Sequence, residues 1–389
     1  MQNLHNDNEN FEALVSVILP TLNEERAISK CIKEVKEGFI NLKNKGYDLK
    51  LEIIVADSST DRTAEIAGEL GAKVIKVKEK GYGIAYLKGF DAAHGEIIVM
   101  GDADGTYDFR ELDKLILPIL KGEADFVIGS RFKGEIKKGA MSLLHRIGNR
   151  MLTFVLNWLF DLNISDAHSG FRAIKKSALE KLNLKADGME FASEMFIEAS
   201  KAGLRIKEVP IVYRKRIGKS KLHSFKDGWR HLRFMLLYKP YPLLIYPGLI
   251  LTVFGFVLML ILYFRGNIEA TSMHSFILGA IAFLTGFNSL LFGTIISAYS
   301  TVHGFTTSKL AQKILDYHSL EKEILTGIIL VLAGALLGVR IVYTWVTSGF
   351  GGLSQFATAV SALVLISAGI QIIYSAFFLS MLLIRGKNS

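Results

Sequence analysis

The chain is poor in cysteine, proline and charged side chains. Its 389 residues include one cysteine, Cys31, and six prolines. A single cysteine excludes a disulfide framework and any zinc or iron–sulfur centre built on cysteines. Charged residues make up 21% of the chain and hydrophobic residues 50%. This balance excludes an intrinsically disordered protein, because such chains are polar and highly charged.

Long apolar runs, by contrast, fill the C-terminal part of the chain. Each contains the roughly 20 residues that a helix needs to span a bilayer, and Arg340 is the only charged residue inside them. Four such runs in succession are rare in soluble folds, so we expect membrane-spanning helices rather than buried soluble ones. The four predicted spans are 243–264, 276–299, 324–346 and 356–384.

The distribution of charge predicts how the chain is oriented in the membrane. Met1–Phe11 is polar and has no apolar segment, which predicts that no signal peptide is present. The segments that follow the first and third spans contain few or no lysines and arginines, whereas the segments that follow the second and fourth spans contain more. This alternation predicts a multi-pass protein of the cell membrane whose N-terminal domain and both termini are cytoplasmic.

Basic residues are concentrated just before the first span. Between Lys201 and Pro242 there are twelve basic and two acidic side chains, within a chain of net charge +9. The cluster is either an attractor of anionic lipid headgroups or a topology signal, and the two roles are compatible. Because it adjoins an apolar span, nucleic-acid binding is not expected. The predicted domains are 1–223, a juxtamembrane amphipathic segment at 224–242, and a membrane domain at 243–389.

Short apolar runs in the N-terminal domain predict strands that alternate with helices. This order predicts an α/β fold with a mostly parallel sheet and helices on both faces. Ligands of such sheets bind beyond the carboxyl ends of the strands, where polar clusters occur in this sequence. The predicted strands are Val15–Pro20, Leu51–Ala56, Lys73–Val77, Glu96–Met100 and Asp125–Gly129.

Carboxylates follow two of these strands. Asp102 and Asp104 lie on a turn after the fourth strand, where oxygen ligands suit Mg²⁺ or Mn²⁺ and the diphosphate oxygens of a substrate. Their alternative role is to cap the next helix. Asp57 and Asp61 follow the second strand, and Asp57 is the better candidate for holding a nucleotide base. The glycine-rich turn after Lys80 is a weaker candidate phosphate loop.

Five motifs together resemble family 2 glycosyltransferases, and in particular the polyprenyl-phosphate hexosyltransferases such as dolichyl-phosphate mannose synthase and its glucose-transferring relatives. The resemblance covers about Ala13–Pro242. The motifs are Val17-Ile-Leu-Pro-Thr-Leu-Asn-Glu24, Ala56-Asp-Ser-Ser-Thr-Asp-Arg-Thr63, Asp102-Ala-Asp104, Gly129-Ser-Arg131 and Ser169-Gly-Phe-Arg172.

This resemblance implies a Rossmann-like GT-A fold, a metal cofactor (Mg²⁺ or Mn²⁺), a nucleotide-sugar donor and inversion at the anomeric carbon. The donor would be UDP-glucose or GDP-mannose, and the acceptor a polyprenyl or dolichyl phosphate in the membrane lipid. The implied metal ligands are Asp102 and Asp104. The implied residues for the nucleotide sugar are Pro20, Asn23, Glu24, Asp57, Lys80 and Asp102. The implied catalytic residues are Asp104, Arg131, Arg172 and Lys221, and those for the lipid phosphate are Arg131, Arg214, Arg216, Ser220 and Lys221.

The chemistry of a lipid phosphate fits these residue types. Such a phosphate is already anionic at neutral pH and needs no general base to attack a sugar. Arginine orients it through two parallel hydrogen bonds, whereas lysine acts as a point charge. His168 and Glu194 are possible helpers, although such residues more often serve as structural groups.

Two segments, Ser224–Tyr238 and Leu143–Phe160, have apolar and basic side chains at helical spacing. For the first we expect a position in the membrane interface, since a span follows; for the second, interface and core packing are equally open.

Two other functions remain as alternatives. A processive polysaccharide synthase would carry a Gln-x-x-Arg-Trp motif, which this sequence lacks. A non-catalytic scaffold would not need the intact residues Asp102, Asp104, Arg131 and Arg172.

Overall fold

The computed structural model of the protein describes residues 13–218, 224–266, 268, 272–306, 309–351 and 354–386. The chain divides into two compact units, Met1–Arg233 and Phe234–Ser389. The first contains strands and helices in alternation, whereas the described part of the second is helical.

The α/β unit is built around one sheet. Its strands are β1 (Leu14–Thr21), β2 (Lys50–Asp57), β3 (Lys73–Lys76), β4 (Ile97–Met100), β5 (Phe126–Ile136), β6 (Arg172–Lys175) and β7 (Ile206–Tyr213). Its helices are α1 (Ile28–Asn44), α2 (Thr63–Glu69), α3 (Tyr82–Ala92), α4 (Leu112–Leu120), α5 (Leu143–Phe160), α6 (Lys176–Leu179) and α7 (Phe191–Lys201). Helix α8 (Ser224–Tyr238) crosses the division between the two units.

The order of strands in the sheet is β3-β2-β1-β4-β6-β5-β7. Strand β1 pairs in parallel with β2 and β4, β2 with β3, and β5 with β7, while β6 runs antiparallel to β4 and β5. This confirms the predicted mostly parallel α/β fold, including all five predicted strands. Strands β6 and β7 were not predicted, and β5 extends seven residues beyond the predicted Gly129, to Ile136.

Alternating side chains of β1 explain why helices cover both faces of the sheet. Val15, Val17 and Leu19 are buried in one cluster with apolar side chains of α1 and α4. Ile18 points to the opposite face, where a Cβ atom at Gly89 of α3 would lie 2.5 Å from its Cγ2 atom. Because both faces are covered, only the strand ends can present polar groups to a ligand.

The second unit contains the helices predicted to span the membrane. They are α9 (Tyr246–Arg265, preceded by a π-helical turn at Tyr241–Ile245), α10 (Met273–Val302), α12 (Leu320–Thr347) and α13 (Phe356–Gly386), with the shorter α11 (Lys309–Tyr317) between α10 and α12. Within the described residues, four helical segments are long and apolar enough to cross a membrane: Tyr241–Arg265, Met273–Val302, Leu320–Thr347 and Phe356–Leu383. The predicted four-helix transmembrane region is therefore confirmed.

Glycines let these helices approach one another closely. A Cβ atom at Gly255 of α9 would lie 2.4 Å from the carbonyl oxygen of Gly279 in α10. A Cβ atom at Gly334 of α12 would similarly lie 2.8 Å from the carbonyl oxygen of Ala362 in α13. Such contacts replace the hydrophobic driving force that is missing between helices in lipid.

Candidate active site

The carboxyl ends of β1 and β2 meet because the two strands are paired in parallel, with Thr21 opposite Asp57. Asp57 is buried, and its carboxylate accepts a hydrogen bond of 2.8 Å from the Thr21 hydroxyl. Asn23 follows β1 with a φ of 53°, in the left-handed region. Its side-chain oxygen accepts a 2.8 Å hydrogen bond from the backbone N–H of Thr60. Three residues predicted to contact the nucleotide sugar thus lie at neighbouring strand ends: Asp57 is the last residue of β2, Pro20 is the penultimate residue of β1, and Asn23 lies on the loop after β1.

Asp102 and Asp104 lie on the turn that follows β4. Asp104 is buried, and its Oδ1 atom accepts hydrogen bonds from the Thr106 backbone N–H at 2.9 Å and hydroxyl at 2.5 Å. Gly105, between Asp104 and Thr106, has a φ of +79°, which favours glycine in this turn. Burial, and then repulsion from Asp104, raise the pKa of the Asp102 carboxyl from 3.8 to about 7.

This carboxylate pair fits a divalent cation. The Oδ1 atom of Asp102 is buried and has no hydrogen-bond partner among the described residues. A Cβ atom at Gly170 would lie 2.9 Å from Asp102 Oδ2, so glycine at this position leaves room for the carboxylate. The described residues contain no group of three or more ligating side chains, so further ligands of a cation here would have to come from substrate or water.

Two arginines of the predicted lipid-phosphate set are ion-paired within the α/β unit. Arg216 contacts the Glu24 carboxylate and lies 3.1 Å from Asp104 Oδ2, so it bridges the β1 loop and the acidic turn. Arg214 lies 2.8 Å from Glu34 and also contacts Asp108. Both guanidinium groups are thus held by carboxylates, and their contact with lipid phosphate stays a prediction.

Arg131, on β5, is held rigidly. Its Nε and Nη2 atoms each donate to the Asp166 carboxylate at 2.7 Å, and its backbone N–H donates to the same carboxylate at 3.0 Å. The guanidinium carbon lies 5.2 Å from the centre of the Tyr213 ring. Arg131 and Asp166 are both buried. One edge of the guanidinium is therefore fixed by a carboxylate, and the Nη1 atom lies outside that pair.

Arg172 and Glu194 are occupied by backbone groups. The Arg172 side chain is 1% exposed and donates to the carbonyl oxygens of Ser169, Ala192 and Ala167 at 2.7, 3.0 and 2.9 Å. Both carboxylate oxygens of Glu194 accept backbone N–H groups at 2.9 Å, from Lys185 and Ala186. These bonds use three of the five N–H donors of the Arg172 guanidinium, and its contact with phosphate stays a prediction.

Three predicted site residues remain: Lys80, Ser220 and Lys221. Lys80 is exposed on the loop before α3. Ser220 and Lys221, predicted to contact the lipid phosphate, lie outside the described residues.

A cavity of about 370 Å³ opens beside Arg131. Apolar side chains of α5 and α8 supply much of its wall, and Arg131, His168, Tyr213 and His231 supply polar groups. Leu144 and Met151 of α5 line it and are 68% and 61% exposed. On the same helix Ile147, Phe154 and Trp158 are more than half exposed. Helix α5 therefore presents an uncovered apolar stripe next to a cavity with a guanidinium in its wall.

Sequence reasoning missed Asp166, Tyr213 and His231 as members of this region. Asp166 precedes the Ser169–Arg172 motif by three residues, but a single acid at that spacing gives no indication of its partner. The apolar and basic spacing of α5 was visible in the sequence, and the exposure of its apolar side chains now distinguishes that helix from one packed wholly in a core.

Comparison with known proteins gives consistent matches for both units. The family profile described as "Glycosyl transferase family 2" matches residues 16–183, and "Glycosyltransferase family 2 C-terminal transmembrane region" matches residues 294–383. The four apolar helices found among the described residues, together with this transmembrane match, show that the chain is a membrane protein.

Among curated relatives, the chain is 43% identical over 373 residues to the low-salt glycan biosynthesis hexosyltransferase Agl6 of Haloferax volcanii, covering 95% of this chain and 89% of that protein. It is 32% identical to a dolichyl-phosphate hexose transferase of the same organism, covering 55% and 89% of the two chains. It is 35% identical to the UDP-N-acetylglucosamine–dolichyl-phosphate N-acetylglucosaminyltransferase of Methanococcus voltae, covering 51% and 85%.

Solved structures are more distant. Glucosyl-3-phosphoglycerate synthase from Mycobacterium tuberculosis, in complex with Mn²⁺, UDP and its product, is 24% identical with a TM-score of 0.46, covering 58% of this chain and 79% of that one. That likeness supports no statement about ligands of this chain. The sequence matches do establish its family, and the chain is a glycosyltransferase enzyme that belongs to glycosyltransferase family 2.

Proposed function

We propose that the protein transfers a hexose from a nucleotide sugar to a dolichyl or other polyprenyl phosphate, with inversion at the anomeric carbon and with the help of Mg²⁺ or Mn²⁺. The product would be a lipid-linked sugar that serves as donor in glycan or protein glycosylation. The names of the Haloferax and Methanococcus relatives support both the reaction and the acceptor class.

The observation that carries this proposal is the composition of the cavity between α5 and α8. Its apolar wall suits the first isoprene units of a lipid, and Arg131 suits the phosphate at the head of that lipid. A guanidinium anchored by Asp166 offers its remaining donors in a fixed direction, so little conformational entropy is lost when a phosphate binds.

The carboxylates Asp102 and Asp104, at the sheet edge where β4 ends, form an acidic edge that supports binding of a nucleotide-sugar donor. In this proposal Asp57 and Asn23 would bind the nucleotide, and Asp102 and Asp104 would hold a divalent cation; the pairing of β1 with β2 and the unpartnered Oδ1 atom of Asp102 among the described residues support these roles. Such a cation would neutralise charge on the departing nucleoside diphosphate. Arg216, which already contacts Asp104, adds a positive charge at the same place. The acceptor phosphate is itself the nucleophile, so the chain has to orient it and exclude water rather than remove a proton.

The exposed apolar side chains of α5 support a position in the membrane interface. Leu144, Ile147, Met151, Phe154 and Trp158 recur at helical spacing and are exposed. An amphipathic helix of this kind lies in the plane of the headgroups with its apolar face toward the acyl chains. We further propose that the α/β unit and both termini are cytoplasmic. Cysteines introduced at Gly351 and Gln312 should then react with an impermeant reagent from opposite sides of the membrane.

A donor panel tests the reaction. Membranes containing the protein are incubated separately with radiolabelled UDP-glucose, GDP-mannose and UDP-N-acetylglucosamine, and the lipid phase is extracted. We expect label from one donor to enter the lipid phase and to increase when dolichyl phosphate is added. Membranes with Asp104→Asn protein are the matched control. Label in a polymer would favour the processive synthase, and no lipid label from any donor would overturn the proposal.

A further inference from the structure

His168 is a polar side chain that lines the cavity, and its ring forms no hydrogen bond with the part of the chain that the structure describes. Both ring nitrogens are buried, and neither has a hydrogen-bond partner among the described residues. The ring meets His231 edge to face, with centroids 4.5 Å apart at an angle of 87°. His231 is in turn fixed by a 2.8 Å hydrogen bond between its Nδ1 atom and the Ser193 hydroxyl. The orientation of His168 is thus determined by packing and not by a polar contact.

The polar groups around His168 are paired in the protein. Arg131 is bound to Asp166, and Arg172 donates to three carbonyl oxygens. Buried polar atoms of native proteins nearly always have a partner in the protein, in ordered water or in a ligand. A neutral imidazole carries one N–H donor and one acceptor nitrogen. His168 therefore keeps an unused donor beside the cavity, and both His168 and Arg131 line that cavity.

A metal ion is a poor candidate partner for this histidine. No group of three ligating side chains occurs among the described residues, and a cation would face the positive charge of Arg131 and Arg172, both of which act on His168. An anion has the opposite preference. The cavity offers an anionic headgroup a guanidinium and a neutral N–H donor, and offers the rest of the molecule apolar walls.

We propose that His168 is a substrate-binding residue that donates its ring N–H to an oxygen of the acceptor's phosphate monoester, beside Arg131. This rests on the proposed function for the identity of the acceptor, and it adds a contact that the charged residues do not provide. Arg131 would supply charge, and His168 would add a directional donor by which the site distinguishes a phosphate headgroup from an uncharged hydroxyl headgroup.

Binding to the full-length protein in detergent tests this contact without requiring turnover. The dissociation constants of farnesyl phosphate, farnesol and inorganic phosphate are measured by calorimetric titration. The proteins are wild type, His168→Leu, which removes the donor, and His168→Gln, which restores an N–H donor. His94→Leu is the matched control, since His94 is exposed and contacts Glu52.

We expect His168→Leu to weaken farnesyl phosphate binding about tenfold or more, because hydrogen bonds to charged groups contribute on that scale. Farnesol binding should be unchanged, and His168→Gln should recover most of the affinity for farnesyl phosphate. The ratio between the two ligands separates a phosphate contact from general damage to the cavity, since damage weakens both. If the wild-type protein binds inorganic phosphate as tightly as farnesyl phosphate, the site does not recognise the lipid part of the ligand, and the inference is overturned.

Equal loss for farnesyl phosphate and farnesol, or no loss for either, also overturns it, as does failure of the wild type to bind farnesyl phosphate. If His168→Leu does not fold, imidazole ¹⁵N signals of the wild type, assigned with His168→Gln, decide the question. His168 should shift with farnesyl phosphate and not with farnesol, and an unshifted signal contradicts the contact. Farnesyl phosphate binding without sugar transfer to any lipid phosphate would overturn the proposed function and leave this inference standing.

Discussion

The acidic edge at Asp102 and Asp104 and the cavity beside Arg131 hold their charges in opposite ways. At the edge, the Arg216 guanidinium contacts both Asp104 and Glu24, and an oxygen of Asp102 is unpartnered within the described residues. In the cavity, the charge of Arg131 is balanced by Asp166, and the other walls are largely apolar.

The difference indicates two ways of binding anions. An edge with excess negative charge binds an anion only together with a cation, which suits a nucleoside diphosphate that carries a metal. A cavity with a balanced arginine binds an anion through directed donors, and its apolar walls favour an amphipathic ligand. Under the proposed function, the α/β unit would bind its two phosphate-bearing substrates at two chemically different places.

Removing a carboxylate from the acidic edge should have the largest effect. Asp104→Asn deletes one of the two candidate metal ligands, and we expect transfer to fall on the order of a hundred- to a thousandfold, as for other charge-stabilising groups. The thermal unfolding midpoint should change little, because the side-chain oxygen of the introduced asparagine can still accept hydrogen bonds from Thr106. EDTA should abolish wild-type transfer, and Mg²⁺ or Mn²⁺ should restore it.

Asp91→Asn is the control for this prediction, since Asp91 is exposed on α3, away from the edge. If sugar transfer continues at its normal rate in EDTA, or in the Asp104→Asn protein, the acidic edge does not act through a bound metal, and the comparison of the edge with the cavity fails.

The balanced charge of the cavity predicts a large loss of stability when one partner is removed. Asp166→Asn leaves the buried Arg131 guanidinium without its counter-charge, which should lower the free energy of unfolding by about 3–5 kcal/mol. Asp125→Asn, at the more exposed pair with Arg205, should lower it by no more than about 1 kcal/mol. Chemical denaturation of the full chain in detergent measures both values.

A paired substitution separates stability from function at the same position. Arg131→Met with Asp166→Leu replaces a buried ion pair by apolar groups, which is often neutral or stabilising. We expect the double variant to regain stability and still to fail in transfer at limiting lipid phosphate. Recovery of transfer would assign the pair to folding alone.

How far the sequence could predict this molecule depends on which interactions define each feature. Strands β1 to β5 follow from local apolar runs, and the position of Asp102 at a strand end follows from β4. Strand β6 has four residues and begins at Arg172, and it is inserted antiparallel between β4 and β5 by pairing that no local pattern encodes. The same limit applies to side-chain direction: the motif places Arg172 near the site, but only the fold shows that carbonyl groups use its donors.

The membrane helices provide a test that leaves both phosphate-binding regions untouched. Gly255→Ala places a methyl group where a Cβ atom would lie 2.4 Å from the Gly279 carbonyl oxygen. We expect a loss of about 1–3 kcal/mol in stability, typical of overpacking. Gly338→Ala on α12 is the matched control, because its Cβ atom would meet open space. Equal thermal unfolding midpoints for the two variants would contradict the packing of α9 against α10.

The smallest expected effect is a pH dependence of stability at His168. Burial lowers the pKa of this imidazole well below 6.5, and His231, Arg131 and Arg172 lower it further. Below about pH 6.5, the ordinary pKa of histidine, the unfolded chain binds a proton at His168 that the folded protein does not bind. The stability that the neutral His168 contributes is therefore complete above about pH 6.5 and is lost as the pH falls. For one proton the slope is at most about 1.4 kcal/mol per pH unit.

His168→Gln should therefore show a shallower decline in the free energy of unfolding between about pH 6.5 and pH 5 than wild type or His94→Gln. If farnesyl phosphate accepts a hydrogen bond from His168, adding it should favour the protonated ring and flatten the wild-type decline as well. An identical decline in all three proteins would mean that the folded protein protonates His168 as readily as the unfolded chain does, and would contradict a buried, neutral imidazole beside the cavity.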